Sequence, residues 1–425
     1  MRIPFPFKFI HAADLHLDSP FRLHEGQNET LRRLLLDASI RAFARLCDVA
    51  IDNDVDFVIL AGDVYDGIER GARAQLALRR QLLRLESHGI MVYIAFGNHD
   101  PIESSSRFAV DWPENVVRFP VVPERFAVER NGTKLAEITG VSYQSRHEQR
   151  NLASLFPMAD SDSFAIAVLH ANIGNSQEHG NYAPASLGDL ITKGYDYWAL
   201  GHIHKRSVLF ESPLVIYPGN IQGLHMKPSE RGPKGAELVE VAHQGVSHSF
   251  IPLSEVIFEM VRLDVTGYRT LNALVDGCVD ALRSSRQTLG EKPLVVRIDL
   301  TGILEPELYG LEDDFDSLHQ ELESELADLD PPVFLDQLDG HLLTSASLDA
   351  LVELSDVVGE LIDLFRESRN NESALTQISV ETELRSALSA KVRRLGIAES
   401  LPLRLSDLDA AERLLFELLN GGSFR

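Results

Sequence analysis

The chain has 425 residues, 44% of them hydrophobic and 24% charged, with a formal net charge of −24 at pH 7. At roughly 150 residues per domain, that length suggests two or three domains. No apolar run approaches the ~18 residues of a membrane span. The start, Met1-Arg2-Ile3-Pro4-Phe5-Pro6, leads directly into an apolar run in place of a signal peptide, so a cytoplasmic protein without a membrane partner is expected.

The negative charge is localised. Residues 303–365 hold eighteen Asp and Glu and no Lys or Arg, which leaves only −6 for the rest of the chain. A block of this kind is either a solvated face or an interaction surface. Cys47 and Cys278 sit far apart in amphipathic stretches, which favours reduced core thiols over a disulfide framework.

Taken in chain order, five apolar runs each break off into residues able to hold a divalent metal. Phe9-Ile10-His11-Ala12-Ala13 leads to Asp14-Leu15-His16, and Phe57-Val58-Ile59-Leu60 to Asp63. Val92-Tyr93-Ile94-Ala95-Phe96 leads to Asn98-His99-Asp100, and Ala165-Ile166-Ala167-Val168-Leu169 to His170. Tyr197-Trp198-Ala199-Leu200 leads to His202-Ile203-His204. In α/β folds, ligands collect beyond the carboxyl ends of the strands, so residues far apart in sequence converge there. Residues 29–53 and 70–88 have helical spacing between these runs, the βαβ pattern of a largely parallel sheet.

Later runs pair locally. Asn131-Gly132 is a type I′ hairpin signal between 126–129 and 134–139. Strands are also expected at 207–217 and 237–253, the second broken at Gln244-Gly245. Together these predict a two-sheet α/β sandwich whose second sheet is partly antiparallel. Beyond Pro252 a small α/β unit follows, with strands at 258–265 and 294–300 and helices at 271–286 and 318–329. From Ser347 only helical spacing remains, near 348–366, 381–395 and 405–419. The expected division is an α/β sandwich domain at 1–255, a small α/β unit at 256–340 and a helical region at 341–425.

Carboxylates mixed with imidazoles suit a divalent ion that activates water, and fit manganese better than a structural zinc site of thiolates. Asp14, His16, Asp63, Asn98, His170, His202 and His204 are too many ligands for one ion. They suit two ions about 3.5–4 Å apart that clamp the attacking and leaving oxygens at phosphorus. In Gly201-His202-Ile203-His204, alternation along an extended segment points both imidazoles the same way. Gly62 and Gly97 directly precede polar residues, as tight turns with close backbone approach require.

Asp14-Leu15-His16, Gly62-Asp63-Val64-Tyr65-Asp66, Gly97-Asn98-His99-Asp100, His170-Ala171-Asn172 and Gly201-His202-Ile203-His204 resemble the five motifs of the calcineurin-like metallophosphoesterases. The fuller strings resemble the DNA-repair exonuclease branch of that superfamily, the SbcD-type subunits. Asp18-Ser19-Pro20-Phe21 is similar to the YhaO-type variant of the pattern. The resemblance implies the metallophosphoesterase sandwich and two divalent ions, Mn2+ foremost. Asp14, His16 and His204 would hold one ion, Asn98, His170 and His202 the other, with Asp63 bridging. His99 would meet the scissile phosphate and stabilise or protonate the leaving oxygen, with Asp100 helping to orient it. The nucleophile would be a water whose pKa the metals lower from ~15.7 toward ~7. Asp66 is open between substrate contact and structural support.

The resemblance further implies DNA as substrate, an SMC-like coiled-coil ATPase as partner, and a homodimer. No P-loop occurs in this chain, so ATP would have to be bound by that partner. Lys205 and Arg206, together with Arg22, Arg146, Arg150, Lys227, Arg231 and Lys234, are cations in expected loops where a phosphate backbone would approach. An apolar stripe over 405–419 is either a docking face for the ATPase or ordinary core. Three functions stay open: a manganese-dependent DNA exonuclease or endonuclease subunit in repair, a phosphoesterase for a small phosphodiester or nucleotide, and a non-catalytic adaptor for DNA ends or the ATPase.

Overall fold

The computed structural model describes residues 5–344 apart from 18, 20–28, 68–70, 104–109, 161, 175–179, 181 and 328. The helices expected beyond Ser347, the 405–419 stripe and Arg22 therefore lie outside the described residues. The described parts of Met1–Leu263, Val275–Leu300 and Asp314–Gly340 form one compact unit, and those of Asp264–Leu274, Thr301–Asp313 and His341–Arg425 a second.

The apolar runs, rich in β-branched and aromatic residues, become strands buried on both faces. β1 (Phe7–Ala12), β2 (Phe57–Ala61), β3 (Met91–Ala95) and β4 (Val116–Arg118) pair in parallel. The 29–53 stretch splits at Asp37 into α1 (Glu29–Leu36) and α2 (Ala38–Asp52), and α3 is Ala72–Ser87. α2 ends where Asp54 takes a left-handed φ of 48°, a position Asp tolerates at a helix end. A second sheet contains β5 (Glu124–Arg130), β6 (Thr133–Gly140), β7 (Phe164–His170), β8 (Tyr197–Gly201), β9 (Ser207–Glu211) and β10 (Leu214–Tyr217), in the order β5-β6-β7-β8-β10-β9. β11 (Gly235–Ala242) and β12 (Gly245–Pro252) return to the first sheet, giving β12-β11-β1-β2-β3-β4.

Each sheet has a parallel centre and antiparallel additions. In the second sheet, β6, β7, β8 and β10 run parallel while β5 and β9 are antiparallel. The Asn131-Gly132 turn has φ of 52° and 74°, as a type I′ hairpin requires. The two-sheet α/β sandwich expected from the sequence is the observed architecture.

A helix-facing core joins Ile10, Val58, Leu60 and Ile94 to Phe43, Leu46, Leu78 and Leu82. The inter-sheet core joins Phe9, Phe57, Ile59 and Tyr93 to Ile138, Phe164, Ile166 and Tyr197. Its aromatic contacts include Phe9 stacked on Phe57 at 4.9 Å and Phe7 edge-on to Phe164 at 5.6 Å. Such pairs add about 0.5–1.5 kcal/mol each beyond area burial.

β13 (Ile257–Asp264), β14 (Leu294–Leu304) and β15 (Val333–Thr344) form a third sheet in that order, with helices α5 (Leu271–Leu289) and α6 (Phe315–Ala327). β15 and the three-residue β4 are absent from the sequence reading. β15 carries Asp336, Asp339 and Gly340 inside its run, which blurs the alternation that marks a strand. Cys47 and Cys278 are buried free thiols. No helix among the described residues is long and apolar enough to cross a membrane.

One polar tie crosses the sandwich interior. His11 on β1 lies 2.9 Å from the Tyr197 hydroxyl and 3.1 Å from the Leu200 carbonyl. A carbonyl only accepts, so Nε2 carries the proton and Nδ1 accepts from Tyr197. Burial holds the ring neutral by pushing its pKa down to about 3, against the raising effect of the Leu200 bond. Tyr197→Phe leaves a buried imidazole nitrogen without its donor and is expected to lower unfolding stability by about 1–3 kcal/mol. An unchanged denaturant midpoint would contradict this tie.

Candidate metal centre

The carboxyl ends of β1, β2 and β3 in one sheet and of β7 and β8 in the other meet at a single place. Two contacts between sheets fix it. His170 Nδ1, at the end of β7, is 2.9 Å from the Ala61 carbonyl at the end of β2. The His202 backbone N–H, just past β8, donates to both Asp14 carboxylate oxygens at 3.1 and 3.0 Å. The loops after β1 and β2 stay paired, with Asp14 N–H donating to the Gly62 carbonyl and His16 N–H to the Asp63 carbonyl.

The backbone is strained at the donors. Among the described residues seven non-glycines have positive φ, and four are Asp14 (52°), His16 (45°), Asp63 (51°) and His202 (103°). Each such conformation costs on the order of 1–3 kcal/mol and persists where the surroundings over-determine it, typically at functional sites. Glycines make the remaining room: a Cβ at Gly62 or Gly97 would overlap the His170 ring, and at Gly97 also the Asp63 carboxylate.

Six of the seven expected ligands lie within a few ångströms of one another. Asp63 Oδ2 is 3.4 Å from His170 Nε2 and 4.0 Å from His16 Nε2. Asn98 Oδ1 is 3.1 Å from His170 Nε2. His16 Nε2 and His204 Nε2 face each other at 3.1 Å, and His204 Nε2 is 3.9 Å from Asp14 Oδ1. Among the described residues three sets, Asp14-His16-His204, Asp14-Asp63-His170 and His16-Asp66-His99, have donor atoms within 4.8 Å of one another, as a cation site needs. His202 stands beside them with its ring 5.2 Å from that of His170, and its Nε2 meets the Gly180 carbonyl at 2.9 Å. Buried oxygens and imidazole nitrogens converging in this way fit a pair of divalent ions.

The neighbouring residues divide the supporting work. Asp66 Oδ1 is 2.9 Å from His16 Nδ1 and 3.3 Å from His99 Nδ1, and the Asp66 carbonyl is 2.7 Å from His99 Nδ1. Asp66 therefore stands behind two imidazoles. Asp100 accepts from the backbone N–H groups of Val64 (2.8 Å), Tyr65 (3.2 Å) and Gly97 (2.8 Å), which pins the loops after β2 and β3 together. The carboxylate beside the His99 ring is that of Asp66. Glu230, which the sequence reading passes over, contacts His204 Nδ1. It lies outside the five motifs, in a short 3-10 turn, and only the general need of a ligating histidine for a carboxylate behind it pointed that way.

Several of the loop cations are engaged. The Arg206 guanidinium pairs with the buried Glu237 carboxylate and lies over the Phe250 ring. Lys234 donates to the carbonyls of His204 and Ser229. Arg150 pairs with Glu148, and Arg231 donates to the Met226 carbonyl. Lys205, Arg146 and Lys227 are exposed.

Mutual burial of opposite charges sets the titration. Burial would raise the Asp63 carboxyl, but His170, His99 and His16 hold it well below the usual carboxylate range. Burial would lower His170, yet Asp63 and Asp14 raise it to about 9. His99 is likewise raised to about 9, by Asp66 and Asp63 against burial. In the metal-free protein these raised values contribute stability that is complete below the unfolded value near 6.5 and is lost as pH rises through about 9. A divalent ion such as manganese would take the place of the protons. Its increment in Tm is therefore expected to be larger at about pH 8.5 than at about pH 6. Equal increments in thermal melts with chelator and with manganese would contradict this.

Comparison with known proteins follows the same lines. The family model of calcineurin-like phosphoesterases matches residues 7–206, and that of the YhaO middle domain matches residues 258–342. The chain is 40% identical over 296 residues to the metallophosphoesterase YhaO of Bacillus subtilis (strain 168), covering 69% of this chain and 71% of that one. It is 26% identical over 273 residues to the DNA double-strand break repair protein Mre11 of Sulfurisphaera tokodaii, covering 61% and 66%. To a subunit of the SbcCD nuclease of Staphylococcus saprophyticus it is 24% identical over 273 residues, covering 58% and 69%. With its strand-end donors and its middle domain, the chain belongs to the calcineurin-like phosphoesterase family, phosphoester hydrolases with a centre of two divalent metals, and within it resembles YhaO.

Proposed function

We propose that this protein is a manganese-dependent phosphodiesterase that cleaves DNA as the nuclease subunit of a repair complex with an SMC-like coiled-coil ATPase. The observation that carries this reading is the convergence of Asp14, His16, Asp63, Asn98 and His170 with His202 and His204 at the strand ends of two sheets. The similarity to Mre11 and to a component of SbcCD supports DNA over a small ester as substrate. In this reading Asp14, His16 and His204 would hold one ion and Asn98, His170 and His202 the other, with Asp63, which lies between His170 and His16, shared by both. The ions, when bound, polarise the phosphoryl oxygen and lower the pKa of water toward about 7.

The protein's own groups do the rest. The Asp66 carbonyl accepts from His99 Nδ1–H at 2.7 Å, which turns Nε2 to the substrate. His99 would then present Nε2 to the scissile phosphate and stabilise or protonate the leaving oxygen. Asp100 acts through the loops it pins. Lys205 at the rim, with Arg146 and Lys227, is available to a phosphate backbone, whereas Arg206 acts through its pair with Glu237. The reading places the protein in the cytoplasm as a homodimer, with a nuclease domain at 1–255, a capping domain at 256–340 and an ATPase-docking region at 341–425.

Purified protein with manganese, offered duplex DNA, single-stranded DNA and bis-p-nitrophenyl phosphate, is expected to cleave DNA. Hydrolysis of only the small ester would replace DNA with a small phosphodiester substrate, and metal binding without hydrolysis would leave an adaptor. His99→Ala is expected to lower turnover by about 10²- to 10⁴-fold while both ions stay bound. Asp63→Ala should abolish turnover and most metal binding together. Calorimetric titration separates the two, and a His99 variant that no longer binds manganese would overturn the division of roles.

A further inference from the structure

Each imidazole that shares one ion in this reading has a carboxylate behind it, but of the two only His204 makes a hydrogen bond to it. Asp66 stands on His16 Nδ1 and Glu230 on His204 Nδ1, while the two Nε2 atoms face each other at 3.1 Å. Glu230 comes from the turn at Pro228–Glu230, far in sequence from every expected ligand but those of the last motif.

Its surroundings fix it closely. Glu230 is 1% exposed. Its Oε1 meets His204, and its Oε2 accepts from Asn220 Nδ2 at 2.7 Å and from the Leu224 N–H at 3.0 Å. Lys234 Nζ donates to the His204 carbonyl at 2.9 Å and to the Ser229 carbonyl, so it anchors both the ligand and the turn that carries Glu230. The Asn220 N–H adds a 3.3 Å bond to the same His204 carbonyl. Both ends of residue 204, side chain and backbone, are thus tied to the 220–234 segment.

A carboxylate on Nδ1–H fixes the imidazole tautomer, leaves the Nε2 lone pair for a cation and raises its basicity. Loss of such a partner typically costs 10- to 100-fold in metal affinity. We propose that Glu230 is a positioning residue that holds His204 Nε2 toward His16 and Asp14, so that altering it weakens the ion at Asp14, His16 and His204 selectively. This rests on the two-ion reading above.

The test uses the full-length protein with manganese, read by calorimetry and by electron paramagnetic resonance of the spin-coupled pair. Wild type is expected to bind two ions. Glu230→Ala is expected to weaken one of them about 10- to 100-fold, leave the other unchanged and lose the coupled-pair signal at concentrations that saturate wild type. Glu230→Gln keeps the shape and an acceptor for Nδ1–H, so it should recover part of that loss. It also decides alone if the alanine variant does not fold, as judged by melting of the metal-free protein. Folded variants with two unchanged sites, or with both sites weakened equally, would overturn the positioning role while the two-ion reading stood. A wild type that binds no manganese would remove both.

Discussion

Buried charge at the strand ends is the constraint on which the rest of this structure depends. The Asp14 and Asp63 side chains are 0% and 2% exposed, and an isolated ionised carboxylate taken out of water carries a penalty of several kcal/mol even after relaxation. Compensation comes from two sources. The His202 N–H donates to Asp14 and the His99 N–H to Asp63, and the imidazoles of His16, His170 and His204 stand within reach of the two carboxylates. Without metal, the buried carboxylates raise His170 to about 9, so its proton helps to neutralise the cluster. With metal, the same lone pairs and oxygens are ready to face cations.

The scaffold serves that cluster at each level. Parallel strands deliver their carboxyl ends to one side of each sheet, and the aromatic inter-sheet core brings the two sides together. Left-handed backbone at four of the donors turns their side chains inward at a local cost that the surrounding hydrogen bonds offset. Asp100 joins the loops after β2 and β3, and His170 reaches across to the Ala61 carbonyl. A loop-built cluster becomes as rigid as the strands that carry it. That rigidity is what catalysis by positioned charge requires, because donors placed in advance need no reorganisation when the reaction proceeds.

Much of this was legible in the chain. Apolar runs that stop at a polar residue announce parallel strands and their functional ends, and the Asn131-Gly132 turn announces its hairpin. The supporting residues were less visible. Glu230 has no neighbour in sequence that marks it, since the His204 contact depends on a turn returning from the far side of β10. Asp66 was readable as near the site, but its place behind both His16 and His99 is a matter of three dimensions. Loop cations mislead for the same reason: Arg206 and Lys234 look available in sequence, yet each has buried partners that only folding supplies. β15 escaped notice because acidic residues interrupt its alternation.

The central claim is that side chains from two sheets cage two cations. Crystals grown with manganese and measured at its absorption edge test it most directly. Two anomalous peaks about 3.5–4 Å apart are predicted, one beside Asp14, His16 and His204 and one beside Asn98, His170 and His202, with Asp63 touching both. A single peak, or peaks remote from Asp63, would contradict the account.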